Sequence, residues 1–323
     1  MESNNVPGLG WVTSFQMAPN KTLAVNAKMH RYSIEKLCQH FINNLQIKTG
    51  IIFLDGGVEE SFYDTDGESI FRQNSWFQYL FGVKEPGFSG AIDILTQKII
   101  LFMPRLPEEY QIWQGTIQPP SYFQQLYDVD EVLYTDEKES WLLNQLSIHN
   151  SANTTSDTSS SSFRLYLLHG LNTDSGLTAK PADLPDRLST QSQGNLIDLT
   201  HLHHALSTTR VIKSAAEQTV MQYSAYIASN AHVQVMRATK SGMMEYELEA
   251  LFRYEIYKNG GCRHTAYTSI CACGPNSAVL HYGHAAAPNT GVLQEQDMAL
   301  LDMGANYHGY CSDITCSVRD MSK

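Results

Sequence analysis

Apolar residues recur along this chain with two different spacings, which predicts both helices and strands. In residues 33–45, isoleucine, leucine and phenylalanine return every three or four positions, so one face of a helix is apolar. Ser33 is the residue type that starts such helices, and it is the predicted N-cap. The short apolar runs 51–54, 88–94 and 98–102 are typical of buried strands, and the last two form a predicted hairpin.

The second half of the chain carries two longer helical patterns. Residues 214–217 have the Ser-x-x-Glu spacing of a capping box and open a predicted helix over 215–238. Another helix is predicted over 244–258, and the glycines of residues 259–261 end it. Short apolar segments that predict strands follow at 265–271, 278–282, 298–302 and 310–317.

The mixture of strands and helices predicts an α/β (α+β) fold in two domains. The chain has 323 residues, and domains commonly hold about 100–200. We place the boundary near residue 200, giving domains 1–200 and 201–323. Residues 150–162 form a tract of Ser, Thr and Asn that cannot bury enough apolar surface to fold. We expect a mobile insertion there, and a regulated phosphorylation site is the alternative.

Composition excludes several function classes. The chain has 22 basic and 33 acidic side chains, and its formal charge of −11 argues against binding nucleic acid. No run approaches the 18 apolar residues of a membrane span, and residues 1–10 lack the apolar core of a signal peptide. We therefore expect a cytoplasmic protein with no membrane partner, whose six cysteines are free thiols in the core.

Two aspartates in the last apolar segments are the most informative candidates. If these segments pair as antiparallel strands about residues 306–309, Asp302 lies opposite Asp313, with Cβ atoms about 4.5–5.5 Å apart. Facing carboxylates in apolar strands destabilise a sheet, so a divalent metal such as Mn, Mg or a Zn/Co mixture is expected between them. Two bridged metals would activate water. Alternatively, the aspartates are solvated turn residues, and a register slip of one position would separate them.

Histidines offer weaker signals. His281 lies between an apolar segment and a glycine turn, where it could meet a ligand or be a hydrogen-bonded core residue. Residues 201–204, His-Leu-His-His, have no carboxylate nearby except Asp198, and we interpret them as structural. The sequence has no H-E-x-x-H, no G-x-S-x-G and no glycine-rich phosphate loop.

Segments in both halves of the chain resemble a known family. The second half contains GMMEYELEALFRYEIYKNGGCRHTAY, RHTAYTSICACGPNSAVLHYGHAAAPN and ALLDMGANYHGYCSDITCS. The first half contains FYDTDGESIFRQNSWFQYLFGVKEPG, LFMPRLPEEYQIWQG and LNTDSG. Over residues 10–317 the chain is similar to the prolidases (Xaa-Pro dipeptidases) among the creatinase-like pita-bread metallopeptidases.

The resemblance implies a fold, a reaction and a set of site residues. It implies a creatinase-like N-terminal α/β domain, followed by the first half of a pita-bread catalytic domain. Such enzymes are usually Mn²⁺-dependent homodimers that cleave dipeptides with a C-terminal proline, and five protein side chains hold two metals. Here Asp302 and Asp313 match metal ligands, while His281 and Tyr267 match substrate-contacting residues. Trp113 matches a residue that approaches the partner subunit's active site.

One departure from the family changes the expected activity. The family's remaining ligands, a histidine and two glutamates, follow the segment that ends at Ser317, and this chain stops at Lys323. We expect a metallodipeptidase by resemblance whose chain alone is inactive. The alternative is a non-catalytic dimerisation or interaction module of the same ancestry.

Overall fold

The computed structural model describes residues 13–152, 163–185, 188, 196–283 and 289–319, and the chain divides into two compact units. Unit 1 comprises residues 1–14 and 26–212, and unit 2 comprises residues 15–25 and 213–323. Residues 153–162 of the predicted insertion lie outside the described residues, so that expectation stays a prediction.

The elements of unit 1 follow the alternation of strands and helices that the sequence predicts. Two short strands, β1 (Thr13–Phe15) and β2 (Val25–Asn26), flank the segment assigned to unit 2. The helices are α1 (Lys28–Asn43), α2 (Ser75–Phe81), α3 (Tyr110–Gln114), α4 (Pro120–Tyr127), α5 (Lys138–Ala152) and α6 (Leu202–Thr209). The strands are β3 (Ile51–Asp55), β4 (Ser89–Asp93), β5 (Ile99–Met103), β6 (Glu131–Tyr134), β7 (Leu165–Leu167), β8 (Gly170–Leu171), β9 (Thr178–Ala179) and β10 (Ile197–Asp198).

A six-stranded mixed sheet separates two hydrophobic cores in unit 1. Its strand order is β10-β7-β3-β4-β5-β6, and β4 and β5 form the predicted antiparallel hairpin. Side chains alternate between the faces of a strand, so Ile52 and Leu54 join one core and Ile51 and Phe53 join the other. The predicted α/β class is confirmed.

Two boundaries in unit 1 differ from the sequence expectation. Helix α1 begins at Lys28, so the N-cap assigned to Ser33 is wrong, and the Ser33 hydroxyl instead donates to the Met29 carbonyl at 3.2 Å. Helix α6 buries Leu202 and Leu206 in a core of unit 1. The unit therefore extends to Ile212, twelve residues past the boundary predicted at residue 200.

The described residues of unit 2 form two α-helices, a short 3-10 helix and two small antiparallel sheets. The helices are α7 (Ala215–Ala238) and α8 (Glu245–Gly260), and α7 starts with the predicted capping box of Ser214 and Glu217. The strands are β11 (His264–Thr265), β12 (Ile270–Cys273), β13 (Ala299–Asp302), β14 (Ala305–Tyr307), β15 (Tyr310–Cys311) and β16 (Thr315–Val318). They form the sheets β11-β14-β15 and β12-β13-β16.

Three of the strand predictions in unit 2 need correction. The apolar segments 265–271 and 310–317 are each interrupted, so one predicted strand becomes β11 and β12 and the other becomes β15 and β16. Residues 278–282 form no strand, because a 3-10 helix ends at Ala278 and a turn follows, with Leu280 85% exposed. Among the described residues, no helix is both long and apolar enough to cross a bilayer.

Candidate metal centre

The end of strand β13 and the segment before β16 position the two candidate aspartates. Asp302 is the last residue of β13, where it lies between Ile270 of β12 and Thr315 of β16. Asp313 precedes β16 by two residues, in a segment that still follows the antiparallel register. That register is held by a 3.1 Å bond from the Met303 amide to the Ile314 carbonyl.

The predicted direct opposition of Asp302 and Asp313 is wrong in register. Thr315 lies opposite Asp302, so Asp313 is displaced diagonally along the neighbouring segment. Because the displacement is two residues, the pleat keeps both side chains on one face, whereas a slip of one residue would have separated them. The two carboxylates are therefore neighbours, as expected, but by a diagonal contact.

Tyr267 joins the two carboxylates. Its hydroxyl contacts Oδ1 of Asp302 and lies 2.9 Å from Oδ1 of Asp313. A phenol has one proton, so it can donate fully to only one carboxylate at a time. Burial of the ring raises the pKa of Tyr267, and the hydrogen bonds and charges of both aspartates raise it further, so the phenol stays protonated at neutral pH.

A glycine permits the close approach of the segments that carry this site. A Cβ added at Gly304 would lie 2.0 Å from the Ser312 carbonyl oxygen and 2.8 Å from Cβ of Ala266. Both distances are shorter than real Cβ atoms show, and the first involves backbone, which can shift only at a cost. The Ser312 hydroxyl also accepts a 2.9 Å bond from the Ala305 amide. Gly304 thus lets the segment holding Asp313 close on the end of β13.

The chemistry of these donors fits a divalent cation, although only in part. Asp302 is partly exposed and Asp313 is exposed, and Tyr267 is their only hydrogen-bond donor within the described ranges. Two carboxylates offer about four lone-pair sites, so most of this capacity is left for hard cations such as Mn²⁺, Mg²⁺ or Zn²⁺. In that same part of the chain, no cluster of three or more His, Cys, Asp or Glu side chains could hold a metal.

A buried histidine behind the aspartates was missed by the sequence analysis. His232 of α7 is 2% exposed, and its Nε2 donates to the Met303 carbonyl at 3.1 Å. That bond leaves Nδ1 as an acceptor, 3.2 Å from the Cys316 sulfur. Burial lowers the pKa of His232, while burial and then the charge of Asp302 raise the pKa of Cys316. Both groups are neutral, and nothing in the helical pattern distinguishes this histidine.

The other two predicted site residues are exposed. His281 lies in an exposed turn and belongs to no cluster of three metal-binding side chains among the residues described. Trp113 lies on α3 of unit 1 and is 80% exposed. Their substrate contacts therefore remain predictions.

The His-Leu-His-His segment begins helix α6. His201 Nδ1 lies 2.8 Å from the carboxylate of Asp198, and that carboxylate also accepts the Thr200 amide at 2.9 Å. The His203 ring packs on Trp76 with a centroid distance of 5.3 Å. These contacts agree with the structural interpretation of the segment.

The cysteines are free thiols, as predicted, but two of them are not in the core. All six are free thiols. Burial raises the pKa of Cys38 and Cys262 to about 12, which makes both thiols unreactive. Cys311 is exposed and Cys316 is only partly buried, so the expected core location is wrong for these residues.

Family comparisons divide the chain in the same way as its fold. Residues 30–154 match the aminopeptidase P N-terminal domain. Residues 219–321 match metallopeptidase family M24, and this segment contains Asp302 and Asp313. Membership of a metallopeptidase family implies dependence on a divalent metal.

Similar proteins extend the relationship across both units. The chain is 44% identical over 299 residues to the Xaa-Pro dipeptidase of Pongo abelii and 43% identical to that of Homo sapiens. In each case the match covers 92% of this chain and 57% of the relative, so the chain spans little more than half of its relatives' length.

A solved structure supports the fold. The Pseudomonas aeruginosa aminopeptidase PepP superposes with a TM-score of 0.70 at 26% identity, covering 91% of this chain and 62% of that one. These matches show that residues 219–321 form a metallopeptidase family M24 segment, that residues 30–154 form an aminopeptidase P N-terminal domain, and that the chain is similar to Xaa-Pro dipeptidases across both.

Proposed function

We propose that this chain is part of a metallopeptidase of the Xaa-Pro dipeptidase type. Asp302 and Asp313 would hold a divalent metal, which we propose to be Mn²⁺, and the substrate would be a dipeptide with a C-terminal proline. The shared Tyr267 hydroxyl carries this proposal, because it places two carboxylates around one proton and leaves most of their acceptor capacity unused. The relatives named Xaa-Pro dipeptidase support the substrate class.

The residues around the aspartates have separate roles in this proposal. Tyr267 orients the carboxylates by donating its proton to one of them, and its raised pKa keeps that proton in place. His232 and Cys316 form a neutral pair behind β13, so they add no charge that would compete with the metal. When bound, the metal would supply Lewis acidity at the peptide carbonyl and lower the pKa of a water molecule.

Substrate contacts in the proposal come from outside the aspartate pair. His281 would contact the dipeptide near the scissile bond, and Trp113 would reach the active site of the partner subunit in a homodimer. The exposure of Ile112 and Trp113, each 80%, supports an intersubunit role for α3. Six free thiols support a reducing, cytoplasmic location.

We further propose that the chain alone hydrolyses no Xaa-Pro dipeptide at a useful rate. The described residues bring together two carboxylates, and no third metal-binding side chain joins them there. A two-metal centre needs more donors to hold both ions against water. The chain therefore contributes the aspartate half of a site that other donors complete.

Titration of the chain with Mn²⁺, followed by electron paramagnetic resonance, tests the metal site. We expect weak binding that falls at least 10–100-fold in Asp302→Asn and Asp313→Asn, because losing a ligand should exceed the effect of losing a supporting residue. Asp66→Asn, an exposed carboxylate of unit 1, controls for net charge and should bind as the original chain does. Equal binding by all four proteins would refute the site, and Gly-Pro hydrolysis that vanishes in Asp302→Ala would refute the proposed inactivity.

A further inference from the structure

Described residues on both sides of His281, in the segment between β12 and β13, are hydrogen-bonded to a buried carboxylate. Glu245 is the first residue of α8 and is 0% exposed. Its Oε1 accepts the Cys273 amide at 2.7 Å and Nδ2 of Asn276 at 3.0 Å. Its Oε2 accepts the Tyr282 hydroxyl and the Gly291 amide, both at 2.7 Å. Donors that precede and follow His281 in the chain thus meet on one side chain.

Four donors satisfy a charge that would otherwise be costly to bury. An isolated ionised carboxylate is strongly unfavourable inside a protein unless hydrogen bonds replace its water. All four donors of Glu245 are neutral groups, and its position in the first turn of α8 places it at the favourable end of the helix dipole. Gly291 has no room for a side chain, because an added Cβ would lie 2.7 Å from Glu245 Oε1.

A second carboxylate on the same helix face holds the returning part of the loop. Glu249 lies one turn after Glu245 and accepts Nδ2 of Asn289 at 2.7 Å. Asn289 is fully buried, and its oxygen accepts the Cys271 amide at 2.9 Å. Like charges four residues apart disfavour a helix, so the loop's donors are needed to offset this pair.

These bonds place the His281 turn beside the strand that borders the aspartates. Tyr282 follows His281 directly in the chain. A Cβ added at Gly283 would lie 3.3 Å from Asn289 Oδ1 and 3.4 Å from the Ser269 carbonyl, so the turn packs on Ser269. Ser269 precedes Ile270, whose strand partner is Asp302. The turn is therefore held at the Asp302 end of β12.

We propose that Glu245 is a positioning residue for His281. Its carboxylate accepts hydrogen bonds from Tyr282 and Gly291 and thereby sets where the His281 turn lies relative to Asp302. The functional consequence rests on the proposed function, in which His281 contacts the substrate near the metal. The fastening itself is a property of the chain as it stands, and it can be measured without catalysis.

The test removes one hydroxyl and compares it with a matched one. Tyr282→Phe deletes a donor to buried Glu245. Tyr310→Phe deletes a donor to Glu217, which is also 0% exposed, through a 3.1 Å bond elsewhere in unit 2. Tyr282→Phe also removes the acceptor of a 3.0 Å bond from Asn276 Nδ2. Losing these hydrogen bonds, each of about 1 kcal/mol, should speed amide hydrogen exchange in residues 279–283 by at least about 5–10-fold. Tyr310→Phe should leave that exchange unchanged.

The imidazole signal of His281 provides a readout that a general loss of stability does not move. In ¹³C–¹H spectra, with the signal assigned by His281→Gln, we expect it to shift or broaden in Tyr282→Phe and not in Tyr310→Phe. Unchanged exchange and an unchanged His281 signal in Tyr282→Phe would overturn the proposal, and so would equal changes in both variants. Mn²⁺ titration of the same samples separates the two proposals, because a chain whose aspartates bind no metal refutes the proposed function alone.

Discussion

Two of the carboxylate sites in unit 2 differ in how completely their oxygens are used. Glu245 is inaccessible to water and accepts four hydrogen bonds from neutral donors. Asp302 is partly exposed and Asp313 is exposed, and within the described segments they share one hydroxyl, that of Tyr267. The first site has its acceptor capacity filled by the protein, and the second has most of it left over.

The difference separates a carboxylate that holds structure from carboxylates that await a cation. Filling a buried carboxylate with donors stabilises the folded chain and leaves no oxygen for a ligand. Two like charges around one proton are unfavourable by themselves and become favourable when a cation joins them. Substitutions at the two sites should therefore affect different properties. Those at Glu245 should lower the free energy of unfolding, and those at the aspartates should weaken metal binding.

The largest effect is expected from removing the saturated carboxylate. Glu245→Leu removes an acceptor from four donors, of which Asn276 keeps a second acceptor, the Tyr282 hydroxyl. Each donor left buried and unsatisfied costs about 1–3 kcal/mol. We expect the free energy of unfolding to fall by several kcal/mol, measured by urea denaturation at neutral pH. Glu255→Ala, on the same helix, is the control and should change it by less than about 0.5 kcal/mol. A loss in Glu245→Leu no larger than in this control would remove the contrast between the sites.

The next largest effect is expected at the glycine beside the aspartates. In Gly304→Ala the new methyl group would meet the Ser312 carbonyl at 2.0 Å, so the segment holding Asp313 must move away from β13. Overpacking of this kind costs about 1–3 kcal/mol, and we expect Mn²⁺ binding to weaken as well. Gly67→Ala is the control, because its Cβ would approach no atom closer than 3.5 Å. Unweakened Mn²⁺ binding in Gly304→Ala would show that the aspartates need no close approach.

Local pattern predicted the regular elements of the fold well. Helix α7 has the predicted bounds of 215–238 because its capping box and apolar periodicity agree. The interruption of the run 310–317 was not predicted, since the run contains no glycine or proline. The break arises where the chain folds over Gly304, and this is a tertiary contact rather than a local preference.

The candidate site was predictable as a pair of residue types and not as a geometry. The sequence placed Asp302 and Asp313 together, yet it could not fix a register that depends on which amides pair across the turn. The position of His232 beside the site could not be predicted, because its sequence pattern does not distinguish it from other buried residues on a helix face. Nothing in the sequence distinguished Glu245, because its four donors come from residues 28–46 positions away.

A smaller effect is expected from pH, through the histidine behind the aspartates. Burial lowers the folded-state pKa of His232 below its ordinary value of about 6.5. Below that pH the unfolded chain binds the proton first, so the stability contributed by neutral His232 is complete above pH 6.5 and declines as pH falls. In His232→Gln we expect a shallower loss of unfolding free energy between pH 7 and 5, measured by urea denaturation. Identical pH profiles would show that His232 stays neutral or is hydrated.

The smallest expected change in stability comes from replacing a carboxylate by an amide at the aspartates. The same replacement at Glu245 gives the sharpest contrast between the two sites. In Asp302→Asn without metal, a like charge disappears, Oδ1 can still accept from Tyr267, and the new amide can donate to Asp313. The unfolding free energy should therefore stay within about 1 kcal/mol of the original or rise slightly. In Glu245→Gln the amide must face at least one donor, such as the Gly291 amide, which should cost about 1–3 kcal/mol.

Adding Mn²⁺ at 100 times its dissociation constant should stabilise the original chain and Glu245→Gln by about 2.7 kcal/mol and Asp302→Asn by much less. Urea denaturation with and without Mn²⁺ measures both effects, and a metal-free loss in Asp302→Asn as large as that in Glu245→Gln would mean that the aspartates, too, hold structure.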